Sequence, residues 1–181
     1  MLCFDICANT GKWSLANKDK YKKIISVEAS PSAYKKLLDN TSSFKNITCL
    51  NYAVCDNNNH LSTTMTYASI TLDKLVEHYG TPDLIKIDVD FGEYLILQYL
   101  AISSLSTKVP IICFEWTSEM NEVTLKCLEH LSNLGFNKYY IQCQDEYTFQ
   151  PDKSDYKSLE DVKTELFKTI PKVDWGMIWA I

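Results

Sequence analysis

Arginine is missing from this chain: all 18 basic residues are lysines, scattered among 23 acidic residues for a net charge of −5. With no planar guanidinium for bidentate phosphate recognition, a heavily phosphorylated substrate is disfavoured. With no basic stripe there is no electrostatic footprint for nucleic acid, and no nucleic-acid partner is expected. No apolar run approaches the roughly 18 residues of a membrane span, and the N-terminus lacks the basic start of a secretory signal. No membrane partner is expected, and the expected location is the cytoplasm. The three histidines, His60, His78 and His130, share no metal-ligand spacing, so no metal centre is expected, and His78 and His130 read as helix-surface residues. Seven cysteines form an odd set without a Cys-x-x-Cys pair. That argues against a disulfide framework and for small, buried, reduced thiols.

What is present is a regular alternation. The 181 residues suffice for one core and are read as a single domain, 1–181. Short β-branched apolar runs alternate with helical patterns, as βα units around a mostly parallel sheet require. The strand candidates are Leu2–Ile6, Ile24–Glu28, Ile47–Val54, Leu84–Val89, Val109–Phe114, Tyr139–Cys143 and Gly176–Ile181. One helix is capped by Ser30 with Pro31 at its first position; another opens near Thr71, with Asp73 as a first-turn acid, and stops at Gly80. A third runs from about Met120 to Leu134 before Gly135, and a fourth opens at Ser158 with Asp161 three residues on. There is no repeat or linker. The stretch Gln144 to Lys157 is predicted to be an exposed loop or hairpin extension that helps shape a substrate entrance.

In an open α/β sheet, ligands sit beyond the C-terminal strand ends. The first strand runs into Asp5-Ile6-Cys7-Ala8-Asn9-Thr10-Gly11, a small-residue turn leading to a helix, which brings backbone N–H groups against a ligand. The second strand ends in Glu28, an acid placed to accept ribose hydroxyls. Together these imply an adenosine-containing cofactor. A nicotinamide dinucleotide needs a Gly-x-Gly-x-x-Gly turn for its pyrophosphate, and Asp5 would repel that phosphate. S-adenosyl-L-methionine, with an ammonium, a sulfonium and no phosphate, fits better.

Four ordered blocks then resemble the FkbM-type methyltransferases. Phe4-Asp5-Ile6-Cys7-Ala8-Asn9-Thr10-Gly11 with Ser14 is similar to that family's Asp-Ile-Gly-Ala-Asn-x-Gly block. Val27-Glu28-Ala29-Ser30-Pro31 resembles its second-strand block, and Asn51-Tyr52-Ala53-Val54-Cys55-Asp56 resembles Asn-x-Ala-Val-x-Asp. Thr71-Leu72-Asp73 with Ile85-Lys86-Ile87-Asp88-Val89-Asp90-Phe91-Gly92-Glu93 resembles Thr-Leu-Asp and Ile-Lys-Ile-Asp-Val-Glu-Gly-Ala-Glu, and Ile111 to Glu115 matches more loosely. The resemblance implies a Rossmann-like class I methyltransferase domain with a seven-stranded, mostly parallel sheet and helices on both faces. It implies that Asp5, Cys7, Asn9 and Ser14 surround the methionine half of S-adenosylmethionine, that Glu28 holds its ribose, and that Ala53 lines its adenine. Asp88 would lie near the methyl group or the acceptor. The implied reaction is O-methylation of a hydroxyl on a sugar, glycan or small metabolite.

Three departures stand out: Cys7 and Phe91 replace glycines and Asp90 replaces a glutamate. The chain also opens directly on its first strand, so the acceptor pocket is read as open or as completed by a second copy or partner domain. The base for the acceptor hydroxyl is Asp88 or Glu115, the latter preceding Trp116 at the fifth strand's end. Glu93 reads equally as a site acid and as a first-turn helix acid. A contrasting reading is a catalytically impaired cofactor-binding subunit, degraded at Cys7 and Phe91, that regulates or completes a partner.

Overall fold

The chain opens on strand β1 (Leu2–Ile6), four of whose five residues are buried. Helix α1 (Lys12–Asn17), β2 (Lys23–Val27), α2 (Pro31–Thr41) and β3 (Ile47–Leu50) follow. This is a computed structural model, and it describes residues 1–55, 67–89, 92–98, 110–144, 146–169 and 175–181. Within those residues come β4 (Ala53–Val54), β5 (Ser69–Ile70), α3 (Leu72–Tyr79), β6 (Leu84–Ile87) and α4 (Glu93–Leu97). They are followed by β7 (Ile111–Thr117), α5 (Asn121–Asn133), β8 (Tyr139–Cys143), α6 (Leu159–Thr169) and β9 (Trp175–Ala180). No helix among the described residues is long and apolar enough to cross a membrane.

Seven strands form one sheet in the order β3-β2-β1-β6-β7-β9-β8. Neighbours are parallel except β9, which runs antiparallel to both β7 and β8. All four residues of β6 are buried, as strands covered on both faces require. On one face, Leu75, Leu97, Leu128, Leu131 and Leu166 of α3 to α6 pack against Phe4, Ile25, Ile85 and Ile112. On the other, Trp13 of α1 and Tyr21 pack against Cys3, Ile24, Leu84, Cys113, Met177 and Trp179. The chain moves outward from β1 through β2 to β3, then returns to β6 on the opposite side of β1. That reversal opens a crevice at the C-terminal ends of β1 and β6.

The helix signals hold in detail. Ser30 Oγ accepts from Ala33 N–H and Thr71 Oγ1 from Lys74 N–H, and Asp73 lies in the first turn of α3. Ser158 accepts from Asp161 N–H at 3.2 Å while its hydroxyl donates to the Asp161 carboxylate at 2.6 Å. Both partners therefore serve the α6 N-terminus.

Three expectations change. The run Ile47–Val54 is not one strand: it pairs with β2 only to Leu50, and Ala53–Val54 joins Ser69–Ile70 in a separate two-stranded sheet. The break falls at Asn51, whose side-chain amide donates to Glu28 O and Ala29 O at 2.8 and 3.0 Å, tying the chain to the turn after β2. The fifth strand runs on to Thr117, because β9 supplies partners as far as the Thr117–Trp175 pair; Val109 lies outside the described residues. Finally, Gln144 to Lys157 is largely exposed, as expected, but is also pinned to the sheet. Phe149 stacks on Tyr140 with centroids 5.5 Å apart, Tyr156 packs on the same cluster, and Asn17 Nδ2 donates to Tyr147 O at 2.7 Å. The segment covers the β8–β9 end of the α1 face.

Where β8 and β9 meet, the backbones approach closely at Gly176. A Cβ there would stand 2.0 Å from Gln142 O and 2.8 Å from Trp116 Nε1. Glycine here answers a lack of room.

Candidate active site

Strand alternation places Asp5, Lys86 and Asp88 on the α1 face of the sheet, and the ladder pairs Asp5 with Lys86 directly. Asp5 is fully buried. Ser14 donates to its Oδ2 at 2.6 Å and lies 2.7 Å from the Ser26 hydroxyl. Lys86 Nζ stands 3.4 Å from Asp5 Oδ1 and 2.9 Å from Asp88 Oδ2, with 4% of its side chain exposed against 32% for Asp88. Asp5 Oδ1 lies within ion-pair distance of Lys86 yet accepts no hydrogen bond. The contact is a charge attraction without hydrogen-bond geometry, which leaves a buried carboxylate oxygen lacking a hydrogen-bond donor.

The turn after β1 is held in unusual backbone conformations. Cys7, Asn9 and Gly11 all have positive φ, at 60°, 49° and 82°. Asparagine tolerates this region and glycine favours it, whereas a cysteine there costs about 1 kcal/mol. A Cβ at Gly11 would in addition meet Leu37 Cδ1 at 2.6 Å, so a larger residue there would push the Leu37 side chain of α2 aside. We expect Cys7→Gly to stabilise the protein by about 1 kcal/mol, read as a raised urea midpoint with an unchanged slope. An unchanged or lowered midpoint would show that the cysteine side chain compensates its backbone.

Glu28, only 4% exposed, fastens this turn. Its Oε2 accepts from Asn9 N–H and its Oε1 from Ser30 N–H, both at 2.8 Å. The Cys7 thiol approaches the same Oε2 at 3.7 Å. Each carboxylate oxygen can accept a second hydrogen bond, so the residue that joins two strand ends retains capacity for a ligand hydroxyl.

Glu115 lies one strand further along. The β6–β7 register ends at Ile87 with Phe114, and continuing it sets Glu115 beside Asp88 on the same face. Glu93, expected equally as a site acid or a helix acid, lies in the first turn of α4 and is buried. Its Oε1 accepts from Val89 N–H at 3.0 Å. Glu93, Glu115, Trp116, Thr117, Val123 and Thr124 line a cleft at this edge.

The candidates thus fall into joined groups. Asp5, Ser14 and Asp88 form one cluster, Cys7, Asn9 and Glu28 the adjoining turn, and Glu115 the far flank. Ala53 is buried in the small sheet, tethered near Glu28 through Asn51. His60, Asp56, Asp90 and Phe91 lie outside the described residues. His78 is exposed, but His130 is half-buried against the Tyr94 ring, so its expected surface role is corrected. Cys3 and Cys127 are fully buried. Burial first, then Asp5 and Glu93 respectively, pushes these thiols well above their usual range, which keeps them neutral. Sequence reasoning passed over Lys86 and Ser26. The available signal was a lysine inside the otherwise apolar run Leu84-Ile85-Lys86-Ile87, since an almost fully buried lysine requires a partner.

A mostly parallel seven-stranded sheet with one reversed strand, and a polar crevice where strand order reverses, is the Rossmann-like fold of the class I methyltransferases. The sequence profile of the methyltransferase FkbM domain matches residues 5–141, and the chain belongs to that family. It is an S-adenosylmethionine-dependent methyltransferase. Solved structures similar to it include a precorrin-6y C5,15-methyltransferase from Geobacter metallireducens, 14% identical, with TM-score 0.60, covering 100% of this chain and 79% of that one. Fibrillarin from Aeropyrum pernix with natively bound S-adenosyl-L-methionine is 12% identical with TM-score 0.61, covering 99% of this chain and 65% of that one. The N-methyltransferase NodS from Bradyrhizobium japonicum is 8% identical with TM-score 0.53, covering 99% and 84%. At these identities the likeness concerns the fold. No curated protein matches the chain in sequence. The residues present suit the cofactor: a buried acidic oxygen lacks a donor, as an ammonium group would supply, and the turn beside it holds a carboxylate with spare acceptor capacity.

Proposed function

We propose that this chain transfers the methyl group of S-adenosylmethionine to a hydroxyl of a sugar, glycan or small metabolite. The observation that carries the reading is the placement of Asp88 and Glu115 on one face at the ends of adjacent strands, one strand from the buried Asp5. The cofactor supplies an electrophilic methyl group on a sulfonium. Asp5, Ser14, Asn9 and Cys7 surround its amino-acid half, Glu28 accepts its ribose hydroxyls, and Ala53 lines its adenine. Asp88 or Glu115 would accept the proton that the acceptor hydroxyl gives up when it takes the methyl group. Alignment of the two reactants contributes roughly 7–11 kcal/mol, and the base a further 10²- to 10⁴-fold or so.

The test is release of S-adenosylhomocysteine from a panel of glycans and small alcohols, with Asp88→Ala and Glu115→Gln as variants. One variant is expected to lose about 10²-fold or more in kcat while still binding cofactor by calorimetry. Full activity in both would remove the pair from the chemistry. A second reading rests on the left-handed Cys7 backbone, a cofactor turn altered from glycine: a binding subunit that completes a partner. Tight cofactor binding with no turnover on any acceptor would favour it.

A further inference from the structure

Lys86 is nearly buried, lies on the central strand of the site, and pairs with two carboxylates that the proposed function uses for other purposes. Its surroundings can be named from each element packed against it. Asp5 comes from β1 and Asp88 from the end of β6. The Cys3 and Cys113 thiols come from β1 and β7, that of Cys3 held neutral by burial, and Glu115 follows further along β7. Asp5, Lys86 and Asp88 together carry a charge of −1; without the lysine they would carry −2. The cofactor and its product share every polar group but differ by one methyl and one positive charge, since the sulfonium becomes a neutral thioether.

We infer that Lys86 is a positioning residue that sets how strongly the site distinguishes the sulfonium cofactor from its thioether product, by holding Asp88 and Asp5 in place and offsetting part of their negative charge. The inference rests on the site reading above. A lesion that merely disturbs the pocket weakens both ligands together; a change of charge beside the sulfur shifts their ratio.

The experiment is calorimetric titration of wild type, Lys86→Met, Lys86→Arg and Asp88→Asn with S-adenosylmethionine and, separately, S-adenosylhomocysteine, all at one pH and ionic strength. Lys86→Met is expected to raise the preference for S-adenosylmethionine over S-adenosylhomocysteine by about five-fold or more, as loss of one unit charge nearby implies. Lys86→Arg, which keeps the charge, is expected to preserve the wild-type ratio. Asp88→Asn, at a partly exposed position, is expected to lower it and supplies the test should Lys86→Met fail to fold. An unchanged ratio in Asp88→Asn or in folded Lys86→Met overturns the inference, as does an arginine variant that shifts the ratio as far as methionine does. Absence of binding by wild type overturns the site reading and this inference together; binding with an unmoved ratio overturns this inference alone.

Discussion

Asp5→Ala is expected to abolish measurable cofactor binding and to lower the stability of the fold by about 3–5 kcal/mol. The physical reason lies in what Asp5 leaves behind. Its carboxylate is fully buried, takes the Ser14 hydroxyl at 2.6 Å, and faces the Lys86 ammonium. Removing it takes one of the partners of the buried Ser14 hydroxyl, leaving it Ser26, and takes a counter-charge from a lysine that water scarcely reaches. Breaking one side of a buried charge cluster is costly because the remaining charge keeps its desolvation without its partner. Asp5→Asn separates the contributions: it preserves shape and an acceptor for Ser14 but removes the charge, so it is expected to fold better than the alanine variant and still bind cofactor poorly. Urea unfolding gives the stability and calorimetry the affinity. Wild-type affinity in Asp5→Asn would remove the Asp5 charge from cofactor recognition.

Gly176→Ala is expected to destabilise the protein by about 3 kcal/mol or more. The added methyl would lie 2.0 Å from Gln142 O and 3.0 Å from Gln144 N. Both are backbone atoms on the neighbouring segment, so no side-chain rotation relieves the clash, and β8 must move away from β9. Gly80 offers the contrast. Nothing stands within 4 Å of its would-be Cβ, but its φ is +91° and its ψ 172°, so Gly80→Ala is expected to cost about 1–3 kcal/mol through backbone conformation alone. The two urea midpoints, measured side by side, check the ordering. Equal shifts would show that the β8–β9 contact relaxes freely.

Much of this fold is written locally. Strands are marked locally by their apolar, β-branched and aromatic runs, and Leu2–Ile6 and Tyr139–Cys143 form strands with the bounds those runs give. Caps are equally local, because Ser30, Thr71 and Ser158 satisfy N–H groups within three residues of themselves. Asp5, Glu28 and Asp88 were legible as strand-end acids for the same reason. What the sequence does not display are pairings between distant residues. The break after Leu50 depends on Asn51 reaching residues 22 and 23 positions earlier. The covering of the sheet by Phe149 depends on Tyr140 being in place to receive it. Lys86 was visible as a lysine in an apolar strand two residues before Asp88, but its pairing with Asp5 is fixed only when β1 lies beside β6. Nor could Glu28 be read as the fastener of the first turn, since Asn9 N–H lies 19 residues away.

The reversed strand also imposes an order of assembly. Strand β8 touches the main sheet only through β9, although β9 follows it in the chain. As a ribosome delivers the polypeptide from its N-terminus, β3, β2, β1, β6 and β7 have their sheet neighbours available while β8 still has none. The portion bearing Asp5, Glu28, Lys86 and Asp88 is thus complete in strand order before the last strand arrives, and β9 then enters as a wedge with a partner on each side. Until that moment the edge of β7 stays open; β9 closes it through the pairs from Ile112–Ala180 to Thr117–Trp175, and on the other side of β9 the glycine at 176 lets β8 approach.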